Sequence, residues 1–157
     1  VIDSEIGSLL EGAVMMVVAT SDASLRPSIA RAVGARRIDD GVLLDIYLSS
    51  AQWPTAVANC TPGAPIAFTF CRPTDYRTYQ IKGRVIETVH AAASHREDAA
   101  DYIAGVATVL FGLGVTRQQF AHWITAENLV RIRVKPRDLF QQTPGPGAGQ
   151  RLGGLPA

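Results

Sequence analysis

The chain has 157 residues, 47% hydrophobic and 18% charged, which is enough for one domain with a proper core and excludes a disordered chain. Its 15 basic and 14 acidic residues leave a formal net charge of +1, which argues against nucleic acid or an anionic membrane as main partner. No apolar run approaches the ~20 residues of a membrane helix, and Cys60 and Cys71 lack CxxC spacing, so they read as free thiols of a reducing cytoplasm.

The first residues carry acids and no basic segment, unlike a signal peptide. Asp3 or Ser4 predicts the cap of a short helix through Leu10, ended by Gly12. Val14 to Thr20 (VMMVVAT) is nearly continuous in apolar residues and predicts a strand buried on both sides. After a polar turn at 21–24, Ser28 to Ile38 reads as a second strand. Asp39-Asp40-Gly41 is a hairpin signal, and Val42 to Leu48 returns as the third strand. Gln52 to Asn59 predicts a short helix with Pro54 in its first turn. Ile66 to Cys71 and Tyr76 to Thr88 form the fourth and fifth strands around a Pro73-Thr74-Asp75 turn.

Two helices follow, over Ala91 to Leu110 and from a Thr116 cap to Trp123. In the last strand, Leu129 to Val134, Val130, Ile132 and Val134 alternate with Arg131, Arg133 and Lys135, which predicts one wet face. The first 142 residues make one domain. From 143 to 157 the Gly and Pro content predicts a tail with no regular element, flexible or held by something else. Short antiparallel strands with tight turns favour a mainly β, closed barrel with accessory helices over an open sheet. The absence of βαβ alternation argues against a Rossmann fold.

The chemistry concentrates on two strands. Thr78, Gln80, Lys82 and Arg84 recur at every second residue of the fifth strand and so share a face, opposite Tyr79, Ile81, Gly83 and Val85. Arg31 and Arg36 have opposite parity, but Gly34 between them suits a bulge that would turn both to one side. Joined by Lys82 or Arg84, these guanidiniums would make a phosphate site, because the planar fork of arginine matches phosphate oxygens. The alternative, cations that merely solvate a barrel exterior, stays open. Gln52 and Trp53 place a helix start and an aromatic ring near a ligand, or simply begin an ordinary helix with Trp53 in the core. Arg72, Asp75 and Arg77 read as exposed ion pairs. His90, His95 and His122 lack metal-ligand spacing and read as solvated helix positions. With no nucleophile motif, paired carboxylates or metal set, the catalytic groups are unknown and any chemistry must come from a cofactor.

The segments RPSIARAVGARRIDDGVLLDIYL, QWPTAVAN and RPTDYRTYQIKGRV resemble the pyridoxamine 5'-phosphate oxidase-like family of FMN-binding split barrels. The likeness covers roughly residues 10 to 90, and the tail QTPGPGAGQRL resembles one branch of it. The resemblance implies a six-stranded antiparallel Greek-key-type barrel, a homodimer, and FMN in clefts at the subunit interface. It implies that Arg31, Ala32, Val33, Gly34 and Arg36 hold flavin ring and phosphate through backbone and basic side chains. Tyr47, Leu48, Ser49, Gln52 and Trp53 would lie near the phosphate, and Thr78 and Gln80 near the isoalloxazine, with Lys82 beside them. The true oxidases carry an Arg-Lys pair where this chain has Gln52-Trp53, and a C-terminal arginine-histidine motif that is missing here. Oxidation of pyridoxamine phosphate is therefore not expected. The implied function is an FMN-dependent oxidoreductase of unknown substrate. The alternative is a non-catalytic module that binds flavin, haem or F420.

Overall fold

The computed structural model describes residues 2–154. Its elements are α1 (Ser4–Leu10), β1 (Met15–Ser21), β2 (Pro27–Ile38), β3 (Leu43–Ser49), α2 (Pro54–Ala58), β4 (Pro65–Cys71), β5 (Thr78–His90), α3 (Ala93–Gly112), α4 (Arg117–Trp123), β6 (Leu129–Gln141) and β7 (Arg151–Gly154). Strand order is β3-β2-β1-β4-β5-β6-β7, and a further antiparallel pairing of β3 with β6 closes β1 to β6 into the expected barrel. No helix among the described residues is long and apolar enough to cross a membrane.

Local chemistry explains the boundaries. Asp3 caps α1 by accepting the Ile6 N–H at 2.8 Å. Pro54 stands in the first turn of α2, where its missing N–H costs no helical bond. Thr116 and Gln119 cap α4 reciprocally. The β2–β3 connection turns through Asp39, Asp40 and Gly41, all at positive φ. Alternate residues of the strands fill the barrel with Met16, Val18, Ala32, Ile46, Leu48, Phe68, Phe70, Ile81, Ile132 and Val134. A second apolar cluster lies outside it, where Val33 and Tyr47 are covered by Ala99, Tyr102, Val106 and Leu110 of α3 and by Phe120 of α4.

Four expectations are corrected. β1 is not buried on both sides: Val17 and Ala19 face solvent, because the helices cover the other flank of the barrel. The arginine face of β6 is only partly wet: Arg133 and Lys135 are half-buried, while Arg131 is 8% exposed and ion-paired. His90 is exposed but ends β5 instead of standing on a helix, and His95, in the first turn of α3, is half-buried, accepting the Ala92 N–H with its ring tilted 5.6 Å from that of Tyr47. The tail does contain a regular element. β7 pairs with β6 through Phe140↔Arg151, and the segment before it is tied down by Gln142 N–H to the Thr78 carbonyl and Thr78 N–H to Thr143 Oγ1. Residues 155–157 of the expected tail lie outside the described residues.

Candidate functional site

The bulge expected at Gly34 is present. Ala32 pairs with Leu48 and Ala35 with Ile46, leaving one extra residue on β2, and Gly34 sits at φ +135. A Cβ there would lie 3.0 Å from the Tyr47 ring, so glycine provides both the conformation and the space. The bulge restores parity: Ala30, Ala32 and Ala35 point into the barrel, while Arg31, Val33 and Arg36 point outward.

The two outward arginines then meet different surroundings. The Arg36 guanidinium donates to Asp98 of α3 at 2.6 and 3.0 Å, and the Tyr47 hydroxyl donates to the other oxygen of Asp98 at 2.8 Å. Burial would raise the Asp98 pKa, but the Arg36 guanidinium and the Tyr47 hydroxyl outweigh it and hold the carboxyl below its ordinary value. Burial, reinforced by the Asp98 carboxylate, pushes the Tyr47 phenol upward, so it stays a protonated donor. Beside this group, Asp45 (2% exposed) takes Arg133 through two hydrogen bonds of 2.8 and 2.9 Å, and Arg131 donates to Glu87 at 2.7 Å. Arg36, Arg131 and Arg133 on this flank are thus all matched to carboxylates.

Arg31 forms no ion pair among the described residues and lies 5.5 Å over the ring of Trp123. Strand register sets it in a row across the open face of the barrel: Arg31, Val17, Thr69, Gln80, Phe140, Arg151. The next row is Ile29, Ala19, Ala67, Lys82, Asp138. Gln80 donates to Thr69 at 3.0 Å, and the Lys82 ammonium sits 4.8 Å over the Phe140 ring. Val17 and Ile29, 37% and 64% exposed, give this face an apolar centre. Three strand spacings separate Arg31 from Gln80, about 14 Å, a span suited to a planar multi-ring ligand.

The start of α2 borders the same face. Ser28, Ile29, Gln52, Trp53, Pro54, Thr55 and Ala56 line a cleft of about 280 Å3 that shares Ile29 with the rows above. The loop is stapled down: Ser49 donates to the Glu127 carbonyl at 2.7 Å and accepts the Gln52 N–H, and the Gln52 amide donates to the His122 carbonyl. Trp53 packs against the barrel core, with its indole N–H buried and unpartnered.

Of the expected residues, the structure brings Arg31, Gln52, Trp53, Gln80 and Lys82 around one open face. Arg36, Tyr47 and Val33 belong to the covered flank, and the side chains of Ala32 and Leu48 fill the barrel. Thr78 is 8% exposed, and its hydroxyl donates to the Tyr76 carbonyl. Sequence reasoning missed Val17, Ile29, Thr69, Trp123 and Phe140 on this face, and Asp98 as the partner of Arg36. An uninterrupted apolar run such as VMMVVAT gives no signal of which members face outward. A larger cavity of about 550 Å3 lies elsewhere, among α1, the β4–β5 turn and the end of α3. Its arginines, Arg72 and Arg77, are held by Asp75 and Glu5, so it offers no uncompensated charge.

The open face suits an anionic aromatic ligand. It has apolar floor residues, amide and hydroxyl donors, and two cations, Arg31 and Lys82, without carboxylate partners.

No family model matches the chain, and no curated protein matches it. Among solved structures, HupZ of Group A Streptococcus is 19% identical with a TM-score of 0.56, over 95% of this chain and 100% of that one. A candidate pyridoxamine 5'-phosphate oxidase from Lactobacillus delbrueckii is 13% identical with a TM-score of 0.54, over 88% of this chain and 93% of that one. HutZ, the heme storage protein from Vibrio cholerae, is 13% identical with a TM-score of 0.51 over the same shares. The closed antiparallel barrel with its covering helices thus has the split-barrel fold of pyridoxamine 5'-phosphate oxidase-like proteins.

Proposed function

We propose that the chain binds FMN on the open face of the barrel, as a homodimer whose partner covers Val17 and Ile29, and acts as a flavin-dependent oxidoreductase. The observation that carries this reading is the pair of uncompensated cations, Arg31 and Lys82, flanking an exposed apolar strip, whereas Arg36, Arg131 and Arg133 of the other flank are ion-paired. Arg31 would hold the phosphate, helped by the amide of Gln52 in place of the basic pair the family's oxidases use. Gln80 and Thr69 would hydrogen-bond ring heteroatoms, and Lys82 would face the electron-rich edge of the ring. Bound FMN supplies hydride and electron transfer. The protein's part is to orient it, exclude water from one ring face and tune it through these donors. No residue is assigned as general acid or base.

Arg36 is left out of the ligand set because Asp98 and Tyr47 already occupy it. Purified protein should carry flavin absorbance, or take it up with a rise in Tm, and NADH or NADPH should bleach it under anaerobic conditions. Bound flavin that no nicotinamide reduces would favour a non-catalytic flavin module.

A haem-binding reading has one supporting observation. His122, in the last turn of α4, stands at the edge of the same face, next to Trp123 and Gln52. It predicts a Soret band that His122→Ala abolishes and no flavin uptake. F420 would occupy the same face and is distinguished by its own absorbance.

A further inference from the structure

The cations of β5 and β6 define a second feature of the barrel exterior. Lys82↔Asp138 and Gly83↔Pro136 are paired, so Arg137 is the extra residue of a bulge on β6 and is turned out to solvent. Gly83 allows this close approach, because a Cβ there would collide with the Lys135 carbonyl and the Val134 side chain. Lys82, Arg84 and Arg137, with Pro65, Ala67 and Asp138, line a cleft of about 230 Å3.

None of these three cations is in an ion pair among the described residues. Lys82 lies over Phe140, and Arg84 donates to the Gly63 carbonyl at 3.1 Å. The one acid of the cleft, Asp138, already takes the guanidinium of Arg151. Eight of the chain's other arginines are ion-paired among the described residues; here three positive charges from two adjacent strands converge on a cleft whose single acid already holds Arg151. A cleft of this size is smaller than the ~300–1,000 Å3 of a whole cofactor site. It fits a compact anionic group, and guanidinium pairs match phosphoryl oxygens.

The geometry points to a phosphoryl-binding subsite here, sharing Lys82 with the edge of the proposed flavin face, that takes the phosphate or diphosphate of a small organic substrate or co-substrate. It rests on the flavin reading only for what that substrate does. The anion site itself stands on the cleft.

The test is calorimetric titration of the full chain, with and without saturating FMN, using inorganic pyrophosphate and, separately, a triglutamate peptide. Pyrophosphate should bind saturably at one per chain, and more tightly than triglutamate. Arg84→Gln with Arg137→Gln should weaken it at least tenfold, while FMN affinity, read by flavin fluorescence, stays within twofold. Arg26→Gln with Arg117→Gln removes the same charge elsewhere and should leave pyrophosphate binding within twofold. Equal weakening by both pairs, preference for triglutamate, or no saturable binding to the wild type would overturn the proposal. If the double variant does not fold, Arg137→Gln alone, in an exposed bulge, carries the test with at least a threefold loss expected. Loss of FMN binding with pyrophosphate binding intact would count against the flavin reading and leave this one standing.

Discussion

The two flanks of the barrel use the same kind of residue in opposite ways. On the flank formed by β2, β3 and β6, arginines at alternate strand positions meet Asp45, Glu87 and Asp98, and α3 and α4 close over the apolar residues beside them. On the flank formed by β1, β2, β4 and β5, arginine and lysine at equivalent outward positions meet no carboxylate, and the apolar residues among them stay exposed. Strand β2 belongs to both, with Gly34 at the border. An alternating basic strand is therefore not itself a signal of ligand binding. The register partner decides, because a carboxylate opposite an arginine turns it into structure.

The largest effect should come from breaking the paired flank. Asp45→Ala leaves Arg131 and Arg133 with only Glu87. Removing one partner of a buried ion pair costs roughly 3–5 kcal/mol, and the partial exposure of Arg133 lowers that to about 3 kcal/mol. Urea denaturation should show a lower midpoint at unchanged slope. The border itself comes next. Gly34→Ala imposes a disfavoured φ and pushes Tyr47 away, so about 1–3 kcal/mol of stability should be lost.

The open flank should behave in the reverse way. Arg31→Ala should leave the urea midpoint nearly unchanged and weaken FMN about ten- to a hundredfold, the size of one charge-assisted hydrogen bond. Arg36→Ala should lower stability and leave FMN affinity within about threefold. If the two arginines exchange these behaviours, the contrast between the flanks is wrong.

Acid should weaken the paired flank through Asp98. A carboxyl whose pKa is lowered by folding adds stability above its ordinary value of 3.8, and that stability is lost as pH falls through the lower folded value. Wild type should therefore lose more stability than Asp98→Asn between pH 5 and pH 3, as read by Tm at each pH. The smallest effect is expected from Ile29→Ser. It should change chain stability by less than about 0.5 kcal/mol yet shift the proposed dimer towards monomer in light scattering.

Much of this arrangement was legible in the chain. The alternation in β5 placed Gln80, Lys82 and Arg84 on one face, and Gly34 between arginines of opposite parity marked the bulge. Strand pairing was not legible. Whether Arg36 meets Asp98, 62 residues away, depends on how α3 lies across the barrel, and no local pattern encodes that. The exposed faces of VMMVVAT were hidden because an apolar residue left at the surface reads the same in sequence as one in a core. The ordered tail was missed for a related reason: β7 is held by backbone bonds to β6, which composition does not report.

The most direct measurement is a flavin titration of wild type, Arg31→Ala and Arg36→Ala under one set of conditions, following flavin fluorescence. Saturation at one FMN per chain is expected for wild type, with a clear weakening for Arg31→Ala and little change for Arg36→Ala. A wild type that neither binds FMN nor gains Tm from it, or an Arg31→Ala variant that binds as well as wild type, would contradict it.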